Sequence, residues 1–216
     1  MPQRKSSQAT AAPLVPPKPT LTKLRQTAAT CKACDLWKLG KQTVFGEGRR
    51  ESKVMFVGEQ PGFQEDIAGR PFVGPAGRVL DQALQESGID RQTVYVTNVV
   101  KHFKWKPVGK RHMHDTPNAS EIAACRPWLD AEIATVKPEV IVCLGRTAAQ
   151  ALLGRDFRVT QDRGKFVQSN LAPRVLATVH PSSLLRAPDP ETRHRETKRF
   201  VEDLKKVAEI LSQPSR

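Results

Sequence analysis

Apolar and polar positions divide the chain into two kinds of block. Short, mainly apolar runs lie at 53–58, 93–100, Val140–Leu144 and 174–179, that at Val140–Leu144 continuous, each bounded by polar or glycine punctuation. Runs of that length read as strands, and imperfect alternation, as at 93–100, fits strands covered on both faces. Longer stretches between them repeat at helical spacing. From Pro75 the residues Ala76, Val79, Leu80, Ala83 and Leu84 share one face, and Gly88 is a natural stop. Pro75 stands at the first helical position, where its missing N–H costs nothing. Thr116-Pro117 open a second long helix to about 136, with Ile122, Leu129 and Ile133 inward and Pro127 expected to kink it. Gly145-Arg146 lead into a helix ending at Leu153, and a charged helix covers about 190–212. A shorter pattern at 21–30 turns Leu21 and Leu24 inward.

Strands that alternate with helices predict an α/β fold: a three-layer α/β/α sandwich around a mainly parallel, roughly four-stranded sheet. In such a sheet the carboxyl ends of the strands lie on one edge, where ligands bind. Three of these ends carry polar residues, Glu59-Gln60, Asn98 and His180, so one cleft is expected there. Two stretches read as long loops. One runs for about 17 residues from Gly58 to Gly74, longer than a compact domain keeps without a use. The other is 101–117, polar and rich in Gly and Pro.

Composition narrows the partner. The chain has 216 residues, a net charge of +13 and a pI near 10.0, which favours a polyanion. The length suits a single domain, expected over 21–212, with a disordered basic Pro-rich tail at 1–20 and a short tail at 213–216. There is no apolar run of membrane-spanning length and no apolar core in the N-terminal stretch that would make it a secretory signal. A cytoplasmic, monomeric protein without membrane contact is the expectation. In a reducing compartment the four cysteines, Cys31, Cys34, Cys125 and Cys143, point to metal ligation rather than disulfides. Cys31-Lys-Ala-Cys34 is a close pair, while Cys125 and Cys143 are split between a helix and a strand. That spacing leaves an iron–sulfur cluster and zinc both open.

The glycines of 58–77 form neither a phosphate-binding Walker loop nor a dinucleotide fingerprint. Against a plain turn-rich connection stand Glu59, Glu65 and Asp66, acids on a very basic chain, and Phe72, an aromatic able to stack a base. In 101–117, Lys101, Lys104, Lys106, Lys110 and Arg111 interleave with Phe103 and Trp105. This is the composition of a funnel for a nucleic-acid backbone with stacking or wedging side chains. His102, His112 and His114 crowd the same stretch, while His194 sits in the charged last helix as a surface residue. No Gly-x-Ser-x-Gly is present, which argues against a serine hydrolase.

The stretch Gly58-Glu-Gln-Pro-Gly62, Gly69-Arg-Pro-Phe-Val-Gly-Pro-Ala-Gly77, the Cys-x-x-Cys pair, Asn98 and His180-Pro-Ser-Ser together resemble the uracil-DNA glycosylase superfamily in its iron–sulfur type 4 branch. The resemblance covers about 21–212. Within the branch, Gln60 and the insertion ending Lys110-Arg-His-Met-His114 resemble the X class (UdgX), which excises uracil and becomes covalently attached to the abasic sugar through a loop histidine. Here His112 and Met113 replace the Arg and Ile of the class motif. The resemblance implies a [4Fe–4S] cluster on Cys31, Cys34, Cys125 and Cys143, and uracil-containing DNA, single- or double-stranded, as partner. It implies Glu59, His180 and His114 as catalytic residues, the last as nucleophile, with one turnover per molecule. Gly58, Gln60, Phe72 and Asn98 then form the substrate pocket, and Lys110 and Arg111 hold the loop or meet phosphate. An ordinary multiple-turnover type 4 glycosylase and a non-catalytic iron–sulfur DNA-binding module are the alternatives.

Overall fold

The computed structural model describes residues 9–109 and 111–212. Five strands form one sheet: β1 (Val54–Gly58), β2 (Val94–Asn98), β5 (Val140–Leu144), β6 (Phe166–Val167) and β7 (Arg174–Thr178), in the order β2-β1-β5-β7-β6. The four strands named by sequence are joined by three parallel pairings, with Gly58 opposite Asn98 and Val57 opposite Cys143. The added fifth strand, β6, is antiparallel to β7 and only two residues long, too short to show a pattern.

Side chains along the strands alternate between two apolar layers, which is why the central runs are unbroken. Met55, Val57, Ile141, Cys143, Val175 and Ala177 face one layer with α1 (Leu21–Ala28), α4 (Ala119–Val136) and α5 (Arg146–Leu153), against which Val159 of the short α6 (Val159–Asp162) also packs. Val54, Phe56, Val140, Val142, Leu144 and Leu176 face the other, with α3 (Pro75–Glu86), α7 (Pro181–Leu185) and α8 (Pro190–Ser212). The three-layer sandwich expected from the pattern is the fold observed. Pro127 lies inside α4 as expected. No helix among the described residues is long and apolar enough to cross a membrane.

Both long loops prove to be structured. Residues 63–68 form α2 (Phe63–Ala68), closed by Gly69 in the left-handed region at φ 70°. Its apolar residues Phe63 and Ile67 face outward, so no inward periodicity announced it. Glu65 and Asp66, expected as site acids, are buried struts. Glu65 accepts the Gly62 and Gly74 N–H groups at 3.1 and 2.6 Å, and Asp66 accepts that of Lys41 at 2.9 Å. Residues 101–117 contain an antiparallel ribbon, β3 (Trp105–Val108) paired with β4 (Arg111–His114), turning at Gly109 with φ 59°. The ribbon has no core-facing side of its own, which is why its sequence reads as loop. Within residues 9–20, expected in a disordered tail, Ala11 is fully buried, and its N–H donates to the Ala124 carbonyl at 2.9 Å. The remainder of that tail (1–8), the C-terminal tail (213–216) and Lys110 lie outside the described residues.

Beneath the sheet edge lies a fully buried ion pair. Lys101 donates to Glu132 Oε2 at 2.5 Å, to Thr97 Oγ1 at 2.6 Å and to the Asn98 carbonyl at 2.7 Å. Glu132 also accepts from Tyr95 and the Gly46 N–H. Lys101 is therefore a structural residue here and not, as the basic loop suggested, a contact for a phosphate backbone.

Candidate active site

The parallel sheet gathers Glu59, Asn98 and His180 as their sequence positions at strand ends require. Gly58 and Asn98 are register partners on β1 and β2. A side chain at Gly58 would come within 2.4 Å of Asn98 Oδ1 and 2.7 Å of the Phe72 ring. Glycine therefore makes the close approach of those two side chains possible. Asn98 Oδ1 is buried and has no hydrogen-bond partner among the described residues. A buried orphan acceptor of that kind costs about 1–3 kcal/mol and suits a ligand that brings a donor. Phe72 takes a left-handed backbone at φ 56°, an unfavourable state for a bulky residue that the fold must enforce. A side chain at Gly77 would overlap the Phe72 carbonyl at 1.8 Å, so the start of α3 packs directly under that strained turn.

His180 caps α7. Its Nδ1 receives the Ser182 N–H at 3.2 Å and lies 2.8 Å from the Ser182 hydroxyl. A backbone N–H can only donate, so Nδ1 is the acceptor and the neutral ring carries its proton on Nε2. Burial, with Arg186 and His114 adding to it, pulls the His180 pKa down to about 4, so the neutral ring is the form at physiological pH. The ring stacks beside Phe72, centroids 6.2 Å apart.

Glu59 is held at both oxygens. The Thr147 hydroxyl donates to Oε2, and His114 Nε2 lies 3.5 Å from Oε1. Thr147, in the first turn of α5 just past the end of β5, was missed by the sequence reading. Only three strand ends were counted there, and the fourth edge position carries the anchor. Burial lowers the His114 pKa, with Glu59 opposing and Arg186 reinforcing that shift.

Gln60 is buried and faces away from the cleft. Its Nε2 donates to the Lys104 and Asp115 carbonyls at 3.1 and 3.0 Å, and its Oε1 accepts the Lys104 N–H at 3.0 Å. It ties the two ends of the β3–β4 ribbon together, with both Nε2 protons used within the protein. The aromatic residues expected to stack bases are likewise used inward. Phe103 is buried, and Trp105 stacks on His112 with centroids 3.7 Å apart. Lys104 pairs with Glu121 at 3.1 Å. Lys106 and Arg111 remain exposed on the outer face of the ribbon.

The cysteines divide. Burial raises the Cys34 thiol, with Cys31 adding to the rise. Burial pushes Cys125 to about 12, Lys101 opposing and Cys34 and Cys31 reinforcing. These three thus share one electrostatic neighbourhood. Cys143 is pushed to about 12 by burial alone, within the sheet. Among the described residues no three His, Cys, Asp or Glu side chains are arranged to hold a single metal ion. Two donors approach the three-thiol group: Trp128 Nε1 to Cys31 Sγ and the Lys101 N–H to Cys125 Sγ, both at 3.3 Å. His102, next in sequence to Lys101, is buried and bonds Thr43 Oγ1 through Nε2 at 3.0 Å. Thr43 in turn donates to the Ala28 carbonyl, which also receives the Cys31 N–H.

Comparison with known proteins accords with this arrangement. Residues 45–205 match the family model of the uracil DNA glycosylase superfamily. The chain is 37% identical over 205 residues to a protein of Sulfurisphaera tokodaii named type-4 uracil-DNA glycosylase, covering 91% of this chain and 87% of the relative. Relatives of the same name from Thermotoga maritima and Pyrobaculum aerophilum are 41% and 42% identical, over 84% and 78% of this chain and 89% and 86% of their own lengths. A match of that extent, on a sheet whose edge brings Glu59, Asn98 and His180 to one cleft, means that the chain belongs to the uracil DNA glycosylase superfamily.

Proposed function

We propose that this protein is a uracil-DNA glycosylase of the X class, which excises uracil and then binds the abasic sugar covalently through His114. The observation that carries the covalent step is the 3.5 Å approach of His114 Nε2 to Glu59 Oε1. His112, the other histidine of β4, is occupied against Trp105. The glycosylase activity itself is supported by family membership and by the names of the relatives.

The substrate enters as a uracil flipped out of the DNA. Phe72 stacks on its ring. Asn98 Oδ1 accepts the N3–H and its amide donates to O4, an edge that cytosine does not offer. The C1′–N1 bond breaks with its electron pair leaving on uracil, and the His180 Nε2–H donates to O2, where charge develops. Glu59 stabilises the cationic sugar. As His114 Nε2 bonds to C1′, its proton passes to Glu59, and the product is a neutral N-glycoside. Holding the imidazole against the electrophilic carbon gives it a large effective concentration over water.

Cys31, Cys34 and Cys125 fit three corners of the iron–sulfur site, and His102 fits the fourth better than Cys143 does. It lies on the strand-end segment that contacts Cys125 and is tied to the segment carrying Cys31. When bound, the cluster supplies a covalent staple between the N-terminal segment and the sheet edge.

The test is a denaturing gel after incubation with a uracil-containing oligonucleotide. A stable protein–DNA band is expected from the wild type and from His112→Phe, and none from His114→Ala, which still releases uracil. A band that survives His114→Ala, or free abasic product over many turnovers with no band, overturns the covalent step. Absence of any uracil release favours a non-catalytic DNA-binding module.

A further inference from the structure

The register of the ribbon places Trp105 opposite His114 and Pro107 opposite His112. Side chains opposite one another share a face, so Trp105, His112 and His114 all project on the side that meets the body of the protein. Lys106, Val108, Arg111 and Met113 project on the other, where Val108 and Met113 are 46% and 48% exposed. On the inner face, His112 lies parallel to the Trp105 indole, 3.7 Å and 20°. Phe63, the first residue of α2, meets His112 edge-on at 5.6 Å and 70°. Trp105 is itself fixed by its Nε1–H, which donates to the Leu39 carbonyl at 2.9 Å. The stack thus runs from the 35–40 segment through Trp105 and His112 to α2. Phe63, 49% exposed, contributes to it at a position where an apolar residue facing solvent has no role in the core.

We propose that Phe63, His112 and Trp105 form a latch that holds β4 down so that His114 reaches C1′ before water does. It rests on the covalent reading above and adds three positioning residues to it. None of them touches the substrate; they act on the distance between His114 and Glu59, two residues along the strand from the stacked imidazole. Gln60 ties the open end of the ribbon, and the stack ties its inner face. Together they restrain a two-stranded unit that has little stability of its own. With the latch removed, the sugar cation is still made at the sheet edge, but water competes for it.

The experiment measures two quantities on the intact protein: the single-turnover rate of uracil release, and the ratio of covalent adduct to free abasic DNA. Phe63→Ala and His112→Ala are expected to leave the release rate within about twofold and to lower the ratio by about tenfold or more, since misplacement of a reacting group by about 1 Å costs up to about 100-fold. His112→Phe, which retains a stacking ring without an imidazole, is expected to keep the wild-type ratio. Amide exchange across 105–114 is expected to quicken in both alanine variants and not in His112→Phe. An unchanged ratio in both alanine variants, or a release rate that falls in parallel with the ratio, overturns the latch. If the wild type gives no adduct, the covalent reading fails; the latch then stands or falls on amide exchange, and unchanged exchange in the alanine variants refutes it.

Discussion

The cleft wall and the ribbon above it are held in place by different means. Glu59, Asn98 and His180 stand at or just beyond the ends of strands in which almost every residue is buried, and their positions follow from the sheet. His114 stands on a two-stranded ribbon in which all four residues of β4 are exposed and β3 is little better covered. Its position follows from a few side-chain anchors: Gln60, the Trp105–Leu39 hydrogen bond and the His112 stack. On the reading proposed above, the difference separates two functions: recognition and bond cleavage would belong to the part that cannot move without unfolding the core, and the fate of the sugar to a part that can be loosened alone.

The sharpest way to break that division is at His180. His180→Ala removes the hydrogen bond proposed to the leaving group and is expected to slow uracil release by about 10²–10³-fold. The proportion of completed turnovers that end in adduct is expected to stay at the wild-type value, as read from a single-turnover quench and a denaturing gel. His102 lies where the two regions join, and the next expectation concerns it. His102→Ala is expected to lose most of its bound iron and its brown absorbance, whereas Cys143→Ala keeps both, as measured by iron analysis of the purified proteins. The smallest effect is expected at Gln60. Gln60→Ala removes three hydrogen bonds at the base of the ribbon and is expected to cost about 2 kcal/mol locally. Hydrogen exchange should show this as faster exchange over 105–114, with protection of β1 and β5 unchanged.

The parts legible in the sequence are those whose neighbours are determined by periodicity. The apolar runs at 54–57 and 140–144 could only be central strands, and a parallel order then brings Glu59, Asn98 and His180 to one edge. The parts that were not legible have no inward face to reveal them. Phe63 and Ile67 point outward, so α2 was hidden, and the ribbon reads as a charged loop. Lys104, Trp105 and Gln60 have the chemistry of substrate contacts, yet the structure turns them against the protein. Which side of a ribbon meets the body is decided by packing, and no local pattern encodes it. Thr147 escaped for a different reason, since a single threonine in a helix's first turn looks like any other until its carboxylate partner is in view.

The buried Lys101–Glu132 pair has a consequence for how such a chain can change. Removing either partner strands the other charge in the core, a loss of about 3–5 kcal/mol, whereas replacing both with well-packed apolar residues is often neutral or better. The two positions are 31 residues apart, on different elements, yet neither is free to vary alone. They behave as a single heritable unit: a lineage reaches the apolar alternative only by crossing a crippled intermediate or by changing both at once, and an engineer diversifying the segment beneath Asn98 has to treat the pair as one site with two letters.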